Sequence, residues 1–205
     1  MTLNPTRELN AFLPVTLASR SVRLEPLALS HHDELVAAVE DGELWKLWYT
    51  TAPEPARMQA EIERRLALQD AGSMIPFTVI EPHTGRAVGM TTYMNIDPVN
   101  RRVEIGSTWY ARDVQRTALN TEAKLLLLGH AFEVLDCIAV EFRTHFMNFQ
   151  SRRAIERLGA KLDGILRNHS RPADGSLRDT CVYSILPSDW PTVRTHLRWL
   201  LDRPR

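Results

Sequence analysis

The chain has 205 residues, of which 44% are hydrophobic, and this length and composition predict one globular domain and exclude a disordered chain. Lys plus Arg and Asp plus Glu each number 25, and this zero balance argues against a nucleic-acid-binding protein, which usually carries a basic excess. The sequence shows neither an apolar signal core at its start nor an apolar run of membrane-spanning length, so we expect a cytoplasmic protein without a membrane partner. Its two cysteines have no zinc-ligand spacing, so no metal is expected.

The first part of the chain is predicted to form an arm, a strand and two helices. Residues 1–18 show little periodicity and are expected to form an N-terminal arm, followed by a single domain over 19–205. Alternation of apolar and polar residues over 21–27 predicts a half-buried strand. Ser30 followed by Asp33 predicts the N-terminus of one helix, and the spacing of apolar residues predicts a second helix over 58–71.

The middle of the chain is predicted to form three antiparallel strands joined by tight turns. The strands cover 76–81, 87–96 and 103–110, and turn-forming residues occupy 82–85 and 97–100. Such a run of adjacent strands is typical of an antiparallel meander.

The last part of the chain is predicted to alternate between helices and strands. In order, the elements are a loop over 111–120, a helix over 121–134, a strand over 138–145, a helix over 150–158 ended by Gly159, a hairpin of 161–167 with 177–186, and a helical tail over 188–205. The whole order predicts a mixed α/β fold with an antiparallel meander and one crossover, rather than repeated βαβ units.

Two segments carry residues suited to binding and chemistry. The segment Val103–Lys124 indicates a strand, a polar loop and a helix N-terminus, where unpaired N–H groups and Arg116 favour a phosphate. In the second segment, Asn148 is placed to cap a helix that Gly159 ends. Taken separately, each segment also fits an ordinary structural helix.

In this order and at this separation, the two segments resemble the GNAT superfamily of N-acetyltransferases, in particular its ribosomal-protein-type N-terminal acetyltransferase (RimJ/RimL-like) branch. The resemblance lies in the loop Gln115–Asn120 before Thr121-Glu122-Ala123, and in Asn148, Ser151 and Leu158-Gly159-Ala160. It covers roughly residues 20 to 190. It implies a GNAT fold: a central, mostly antiparallel twisted sheet with a V-shaped splay between two parallel strands, and helices on both faces.

The resemblance implies that acetyl-CoA is the co-substrate. Its pantetheine arm would pair with the backbone of Thr108, Trp109 and Tyr110, and Asn148 would bond the pantetheine amide. Arg152 or Arg153 would reach the adenosine 3′-phosphate. The pyrophosphate would bind the loop and the helix N-terminus, namely Gln115, Arg116, Thr117, Ala118, Leu119, Asn120 and Thr121.

The reaction implied by the resemblance is direct attack of a neutral amine on the thioester. A lysine amine has a pKa of ~10.4 and an α-amine one of ~7.7–8.0, so a general base helps both and is nearly required for the first. Glu104 is the candidate base, with an exposed carboxylate paired to Arg101 or Arg102 as the alternative. Ser151 is the candidate proton donor to the thiolate. The acceptor would contact Trp45, Trp48 and Tyr49, which alternatively form a core cluster.

Ala118 departs from the family pattern, because glycine usually occupies this position of the loop. Alanine at a positive φ would cost roughly 1 kcal/mol or more and weaken cofactor binding. A catalytically weak or inactive acyl-CoA-binding module, acting as a sensor or scaffold, is therefore the second hypothesis. A dinucleotide-binding oxidoreductase and a serine hydrolase are disfavoured, because the sequence lacks their glycine motifs. A homodimer is compatible with the resemblance.

Overall fold

The computed structural model describes residues 12–50, 52–172 and 174–203. Most of the predicted arm therefore lies outside the described residues. The end of that segment, Leu17–Ala18, forms a short edge strand.

The described chain forms one sheet with helices packed on it. The strands are β1 (Leu17–Ala18), β2 (Arg23–Pro26), β3 (Met74–Ile80), β4 (Ala87–Asp97), β5 (Arg102–Tyr110), β6 (Ala139–His145), β7 (Lys161–Ser170) and β8 (Arg178–Ile185). The α-helices are α1 (His32–Glu40), α2 (Met58–Asp70), α3 (Leu119–Gly129), α4 (Phe149–Glu156) and α5 (Trp190–Asp202). These elements confirm the predicted mixed α/β order.

The sheet has eight strands in the order β1-β2-β3-β4-β5-β6-β8-β7. All neighbours are antiparallel except β5 and β6, which pair in parallel only from Arg102↔Ala139 to Glu104↔Glu141. Beyond Glu104 these two strands no longer pair, while β6 continues against β8 as far as His145. The predicted V-shaped splay is therefore present, and its vertex lies at Glu104.

The helices cover opposite faces of the sheet. On one face, α2 reaches β4 through a hydrogen bond of 2.7 Å from Arg65 to Thr92 Oγ1. On the other face, α3 reaches β4 through a bond of 3.1 Å from Lys124 to Thr91 Oγ1. Because neighbouring residues of a strand point to opposite faces, these contacts place α2 and α3 on opposite sides of β4. The helix α1 packs with α2, and α5 packs with α3.

Local sequence explains why the helices bury one side. The buried residues of α5 are Trp190, Val193, Leu197 and Leu200, and this spacing of three or four is the period of a helix face. In α2 the buried positions include Arg65, so a guanidinium takes a core position. No helix of the described residues has the length and apolar character needed to cross a membrane.

The boundaries of several elements differ from the prediction by a few residues, and the start of α3 matters most for the site. The helix α3 begins at Leu119, two residues before the predicted start at Thr121, and its continuation His130–Val134 is π-helical. The earlier start arises because Ala118 already has helical dihedral angles, with φ −67° and ψ −25°. The loop before the helix is correspondingly shorter.

Candidate active site

A cleft of about 720 Å³ opens where β5 and β6 diverge. Its walls include residues 105–110 of β5 and 142–145 of β6, and residues at the N-termini of α3 and α4 also line it. Two strands that separate leave backbone groups without a neighbour, and an extended ligand can pair with such groups. The cleft is therefore suited to a long polar arm lying along β5.

A β-bulge shapes the wall of the cleft at Ser107. Met90 faces Trp109 and Thr92 faces Gly106, so β5 has one more residue here than β4. Ser107 has φ +47°, a left-handed conformation, and a guanidinium nitrogen of Arg65 lies 3.4 Å from its carbonyl oxygen. Because an extra residue bends a strand and interrupts its ladder, the bulge helps β5 to turn away from β6.

The loop before α3 is held by its own side chains. Gln115 donates to the carbonyl of Tyr110 at 3.0 Å, and Thr117 donates to the carbonyl of Val114 at 2.7 Å. Thr117 Oγ1 also accepts from the backbone N–H of Leu119 at 3.3 Å, which satisfies one donor of the first helical turn. These bonds fix the loop in place before any ligand arrives.

The strained residue of this loop is Arg116 rather than Ala118. Ala118 has a negative φ of −67°, so an alanine fits there without left-handed strain. Arg116 has φ +63°, which costs a residue with a Cβ roughly 1–2 kcal/mol. The sequence-based reason to expect a disabled loop is therefore removed.

The cleft concentrates positive charge. Its lining, taken over the described residues, includes no Asp or Glu side chain, whereas seven cationic side chains belong to it: Arg65, Arg116, Lys124, Arg143, Arg157, Arg178 and Arg203. The whole chain has equal numbers of basic and acidic residues. Arg65 is ion-paired with Glu61, and Arg143 with Glu104 and Glu141, so these two charges are balanced from behind the lining. The other basic side chains favour anionic ligands in the cleft.

Lys124 is a buried amine that lines the cleft. Its Nζ donates to Thr108 Oγ1 at 2.9 Å and to Thr91 Oγ1 at 3.1 Å, and it forms no ion pair with a carboxylate of the described residues. Burial lowers the pKa of Lys124 to about 7. The amine therefore changes between its charged and neutral forms near neutral pH. Its hydrogen bond also fixes Thr108 next to the bulge.

Glu104 lies at the vertex of the splay with its side chain buried. Its Oε2 accepts a bond of 2.7 Å from Asn95 Nδ2 and lies 3.5 Å from Nε of Arg143. Burial raises the pKa of Glu104 above its ordinary value, although the Asn95 bond and the charge of Arg143 oppose that rise. A carboxylate with a raised pKa is a stronger base than an ordinary one.

The alternative role predicted for Glu104, an exposed carboxylate paired with Arg101 or Arg102, is wrong. Arg101 pairs with Asp136, and Arg102 pairs with Glu141. Glu104 does not itself line the cleft, but its carboxylate lies beside Gly106, which does. A Cβ at position 106 would lie 2.7 Å from Met94 Sδ and 3.0 Å from Glu104 Oε1, so the glycine is what lets the strand pass this close to both groups.

The start of α4 brings two predicted residues to the cleft. Asn148 Oδ1 accepts from the backbone N–H of Ser151 at 3.0 Å, which confirms Asn148 as a helix cap. This bond leaves the amide NH₂ of Asn148 as a donor. The Ser151 hydroxyl makes no hydrogen bond to another described residue, and both residues line the cleft.

Comparison with known proteins agrees with this geometry. The family model described as "Acetyltransferase (GNAT) domain" matches residues 21–161. The chain belongs to the GNAT acetyltransferase family. It is therefore an N-acetyltransferase by family, as predicted.

Individual relatives extend the comparison. YdaF of Bacillus subtilis (strain 168), provisionally named a ribosomal N-acetyltransferase, is 32% identical over 108 residues, which is 53% of this chain and only 58% of that protein. A GCN5-related N-acetyltransferase from Brucella melitensis has 32% identity and a TM-score of 0.82, over 92% of this chain and 86% of that chain. Mycobacterium smegmatis RimJ, solved with CoA-disulfide, shares the fold at 20% identity and a TM-score of 0.78, over 93% and 96% of the two chains.

Most residues predicted for the GNAT site line the cleft. They are Tyr49, Thr108, Trp109, Tyr110, Gln115, Arg116, Thr117, Asn120, Thr121, Asn148 and Ser151. Among the others, Leu119 is buried in the core and Ala118 directly precedes α3. Trp45 packs against the core, whereas Trp48 is 58% exposed, with its ring against Tyr49 and His145. The alternative of a core cluster therefore fits Trp45 but not Trp48.

The arginines predicted to reach the 3′-phosphate lie outside the cleft lining. Arg153 is exposed, and Arg152 donates to the Tyr183 hydroxyl at 3.1 Å. Two other arginines do line the cleft, Arg157 just after α4 and Arg203 just after α5. These two are better placed to meet a phosphate that lies within the cleft.

Lys124 and Arg65 were not predicted as site residues. A signal for Lys124 is present in the sequence, because it follows Asn120 by four residues and Thr121 by three, and such residues share one face of a helix. Arg65 gives no such signal, since it stands beside Arg64 in a run of charged residues.

Proposed function

We propose that this GNAT protein transfers the acetyl group of acetyl-CoA to a primary amine, by direct attack of the amine on the thioester. The observation that carries the proposal is the cleft itself. It runs from a helix N-terminus with cationic neighbours to a splay whose vertex holds the buried carboxylate of Glu104. A protein N-terminus is one acceptor to test, and the name of YdaF as a ribosomal N-acetyltransferase favours an acceptor on the ribosome.

The cleft residues fit the parts of acetyl-CoA. The pyrophosphate and 3′-phosphate are anions, and Arg116, Arg157 and Arg203 line the cleft. The pantetheine arm carries amide groups. The buried Trp109 Nε1 has no hydrogen-bond partner among the described residues, and a polar arm in the cleft would accept from it.

Acetyl-CoA would supply the activated acetyl group. The residues of this chain would bind and orient acetyl-CoA and the amine, and they would move the protons. The first-turn N–H groups of α3 and Arg116 would hold the phosphates, and the NH₂ of Asn148 would donate to the arm. Glu104 would accept the proton of the ammonium beside Gly106, directly or through a water. Ser151 would donate a hydrogen bond from its hydroxyl to the leaving sulfur, which would depart as the thiolate of CoA.

The proposal is tested by titrating the protein with acetyl-CoA in a calorimeter, with Arg116→Ala and Arg112→Ala compared. Arg112 is on the same loop and outside the cleft lining, so it is the matched control. We expect Arg116→Ala to weaken binding about 10- to 100-fold, because a hydrogen bond to a charged group contributes roughly 1.5–3 kcal/mol. Equal losses in both variants, or no binding by the unaltered protein, would contradict the proposal.

A cytoplasmic location and a homodimer stay predictions. Analytical ultracentrifugation of the purified chain would decide the second. The described residues hold no group of three or more His, Cys, Asp or Glu side chains arranged to bind a metal.

A further inference from the structure

The face of the sheet that carries α1 and α2, here called the acceptor face, holds a second group of cleft side chains. Gly106 pairs with Thr92, which contacts Arg65 of α2, so Gly106 and Glu104 point to this face. Glu104 pairs with Glu141, and Arg143 and His145 follow on β6 in steps of two. The His145 ring also contacts the Trp48 ring at a centroid distance of 4.9 Å.

Arg178 of β8 belongs to the same group. His145 faces Thr180 in the sheet, and Arg178 lies two residues from Thr180 on the same strand. The guanidinium Nε of Arg178 donates to Thr180 Oγ1 at 3.1 Å. His145 and Arg178 therefore lie together on the acceptor face, and both line the cleft.

His145 presents a buried donor without an acceptor. Its Nδ1 accepts from the backbone N–H of Met147 at 3.0 Å, so in the neutral ring the proton is on Nε2. Nε2 is buried and has no partner among the described residues, and the residue is only 5% exposed. Burial lowers the pKa of His145, and the charge of Arg178 lowers it further, so the neutral form prevails at neutral pH.

Arg178 is a half-buried cation that forms no ion pair within the described chain. Its Nε donates to Thr180 Oγ1, which is a neutral partner. Burial lowers the pKa of the Arg178 guanidinium, whereas the charge of Glu104 raises it. The adjacent Asp179 is already bound, since it accepts from Arg167 and from the backbone of Asn168.

A buried donor without an acceptor, beside a cation without an ion-pair partner, is complementary to an anion. The N-terminus of α3, where the phosphates would bind, is on the other side of the sheet. The anion that would meet Arg178 therefore belongs to the amine that enters from the acceptor face. Arg178 presents its guanidinium as a planar fork, which matches the two oxygens of a carboxylate.

We propose that the acceptor is an amino acid, a molecule with both a primary amine and a carboxylate, and that Arg178 and Nε2 of His145 bind that carboxylate while the amine faces Glu104. This inference rests on the proposed function, because it names the substrate class of the same site. The exposed ring of Trp48 lies against His145, beside the proposed carboxylate site. A polyamine is disfavoured by this arrangement, since its second cation would face Arg178.

The strand register gives the distance between Glu104 and the proposed carboxylate site at His145 and Arg178. His145 lies four residues beyond the partner of Glu104, which is about 13 Å along an extended strand. The side chains of Arg178 and Glu104, and a water at Glu104, shorten the span that the acceptor must bridge. The length of the preferred acceptor is therefore a measurable property of the site.

The test is a set of matched amines assayed for CoA release in the presence of acetyl-CoA. The common α-amino acids and a series of ω-amino acids of increasing chain length are each compared with their carboxamides. Spermidine and a peptide amide with a free N-terminus complete the set. A carboxamide makes the amine less basic and leaves more of it neutral, so a preference for the acid cannot come from amine ionisation. We expect kcat/KM for at least one acid to exceed that for its carboxamide by about 100-fold or more, because two hydrogen bonds to a charged group each contribute a factor of about 10 to 100.

Variants of Arg178 test whether this residue causes the preference for an acid over its carboxamide. Arg178→Gln should lower kcat/KM for the acid about 10- to 100-fold, mainly through KM, with little effect on the carboxamide and none on acetyl-CoA affinity. Arg178→Lys should restore part of the loss. Arg171→Gln is the matched control, because Arg171 is exposed in the β7–β8 loop and donates to the Gly175 carbonyl.

The outcomes separate the inference from the proposed function. Turnover of any of these amines without dependence on Arg178 would overturn the inference and leave acetyl transfer standing. If no amine turns over, calorimetric titration of the CoA-saturated protein with the same acids and carboxamides follows. Binding of acids that Arg178→Gln abolishes would support the carboxylate site and count against transfer, whereas no such binding would overturn the inference.

Discussion

Lys124→Met is expected to stabilise the protein most at low pH. Burial lowers the pKa of Lys124 from 10.5 to about 7. Between these two values the unfolded chain binds a proton that the folded chain does not, so stability rises with pH across this window. The destabilisation by the amine is absent well above the unfolded pKa of 10.5, and it is complete once the pH falls below the folded pKa of about 7.

The magnitude follows from the size of the shift. One pKa unit corresponds to about 1.4 kcal/mol, so the amine costs the folded protein about 5 kcal/mol at pH 6 and about 2 kcal/mol at pH 9. Methionine removes this cost. It also removes the bonds to Thr91 and Thr108, but these hydroxyls already lie 2.8 Å apart and can bond each other. We therefore expect a net stabilisation of about 1–4 kcal/mol at pH 6, which is the range for replacing buried charges by apolar residues.

Urea unfolding followed by circular dichroism at pH 6 and pH 9 measures this effect. The gain in unfolding free energy of Lys124→Met over the unaltered chain should be about 3 kcal/mol larger at pH 6 than at pH 9. Lys46→Met is the control, because Lys46 is exposed and pairs with Glu43 at the surface. A gain that does not change with pH would refute the reasoning, since it would mean that Lys124 is not desolvated.

Two further predictions concern the base. The rate of acetyl transfer should fall as the pH drops through the pKa of Glu104, which burial raises above its ordinary value. Glu104→Gln should remove this fall at low pH along with most of kcat. An unchanged pH–rate profile in the variant would assign the fall to another group. Gly106→Ala should lower kcat while leaving acetyl-CoA affinity within about threefold, because the new Cβ would lie 2.7 Å from Met94 Sδ and 3.0 Å from Glu104 Oε1 and would push the carboxylate out of place. Calorimetry and steady-state kinetics on the same preparation would expose any general loss of folding.

Strand alternation and helix spacing were enough to predict the order of the elements and the position of the loop before α3. The start of α3 was missed, because Ala118 has no capping side chain and the cap comes from Thr117 instead. The bulge was missed as well, since Ser107 adopts φ +47° without a glycine to mark it. Both are backbone features that contacts outside the local pattern stabilise, here the bonds of Gln115 and Arg65.

The cations of the cleft were the harder part to predict. Arg65 and Arg178 lie among polar residues in the sequence, where an arginine is normally solvated. Only the sheet brings Arg178 beside His145, because β8 inserts between β6 and β7. A pairing of this kind depends on strand order, which the local pattern of residues does not encode.

The distribution of charge explains why net charge misleads for this protein. The chain as a whole is balanced, yet the described lining of its cleft has seven basic side chains and no carboxylate, although two of the seven, Arg65 and Arg143, are ion-paired with carboxylates behind the lining. Anions such as the phosphates of acetyl-CoA would be drawn into the cleft, and the same field would lower the affinity for a cationic amine. A site built in this way has to bind its amine in the neutral form or through an attached anion. In the proposed mechanism Glu104 meets the first requirement by taking the proton, and Arg178 with His145 meets the second, so the choice of acceptor and the general base both follow from the same field.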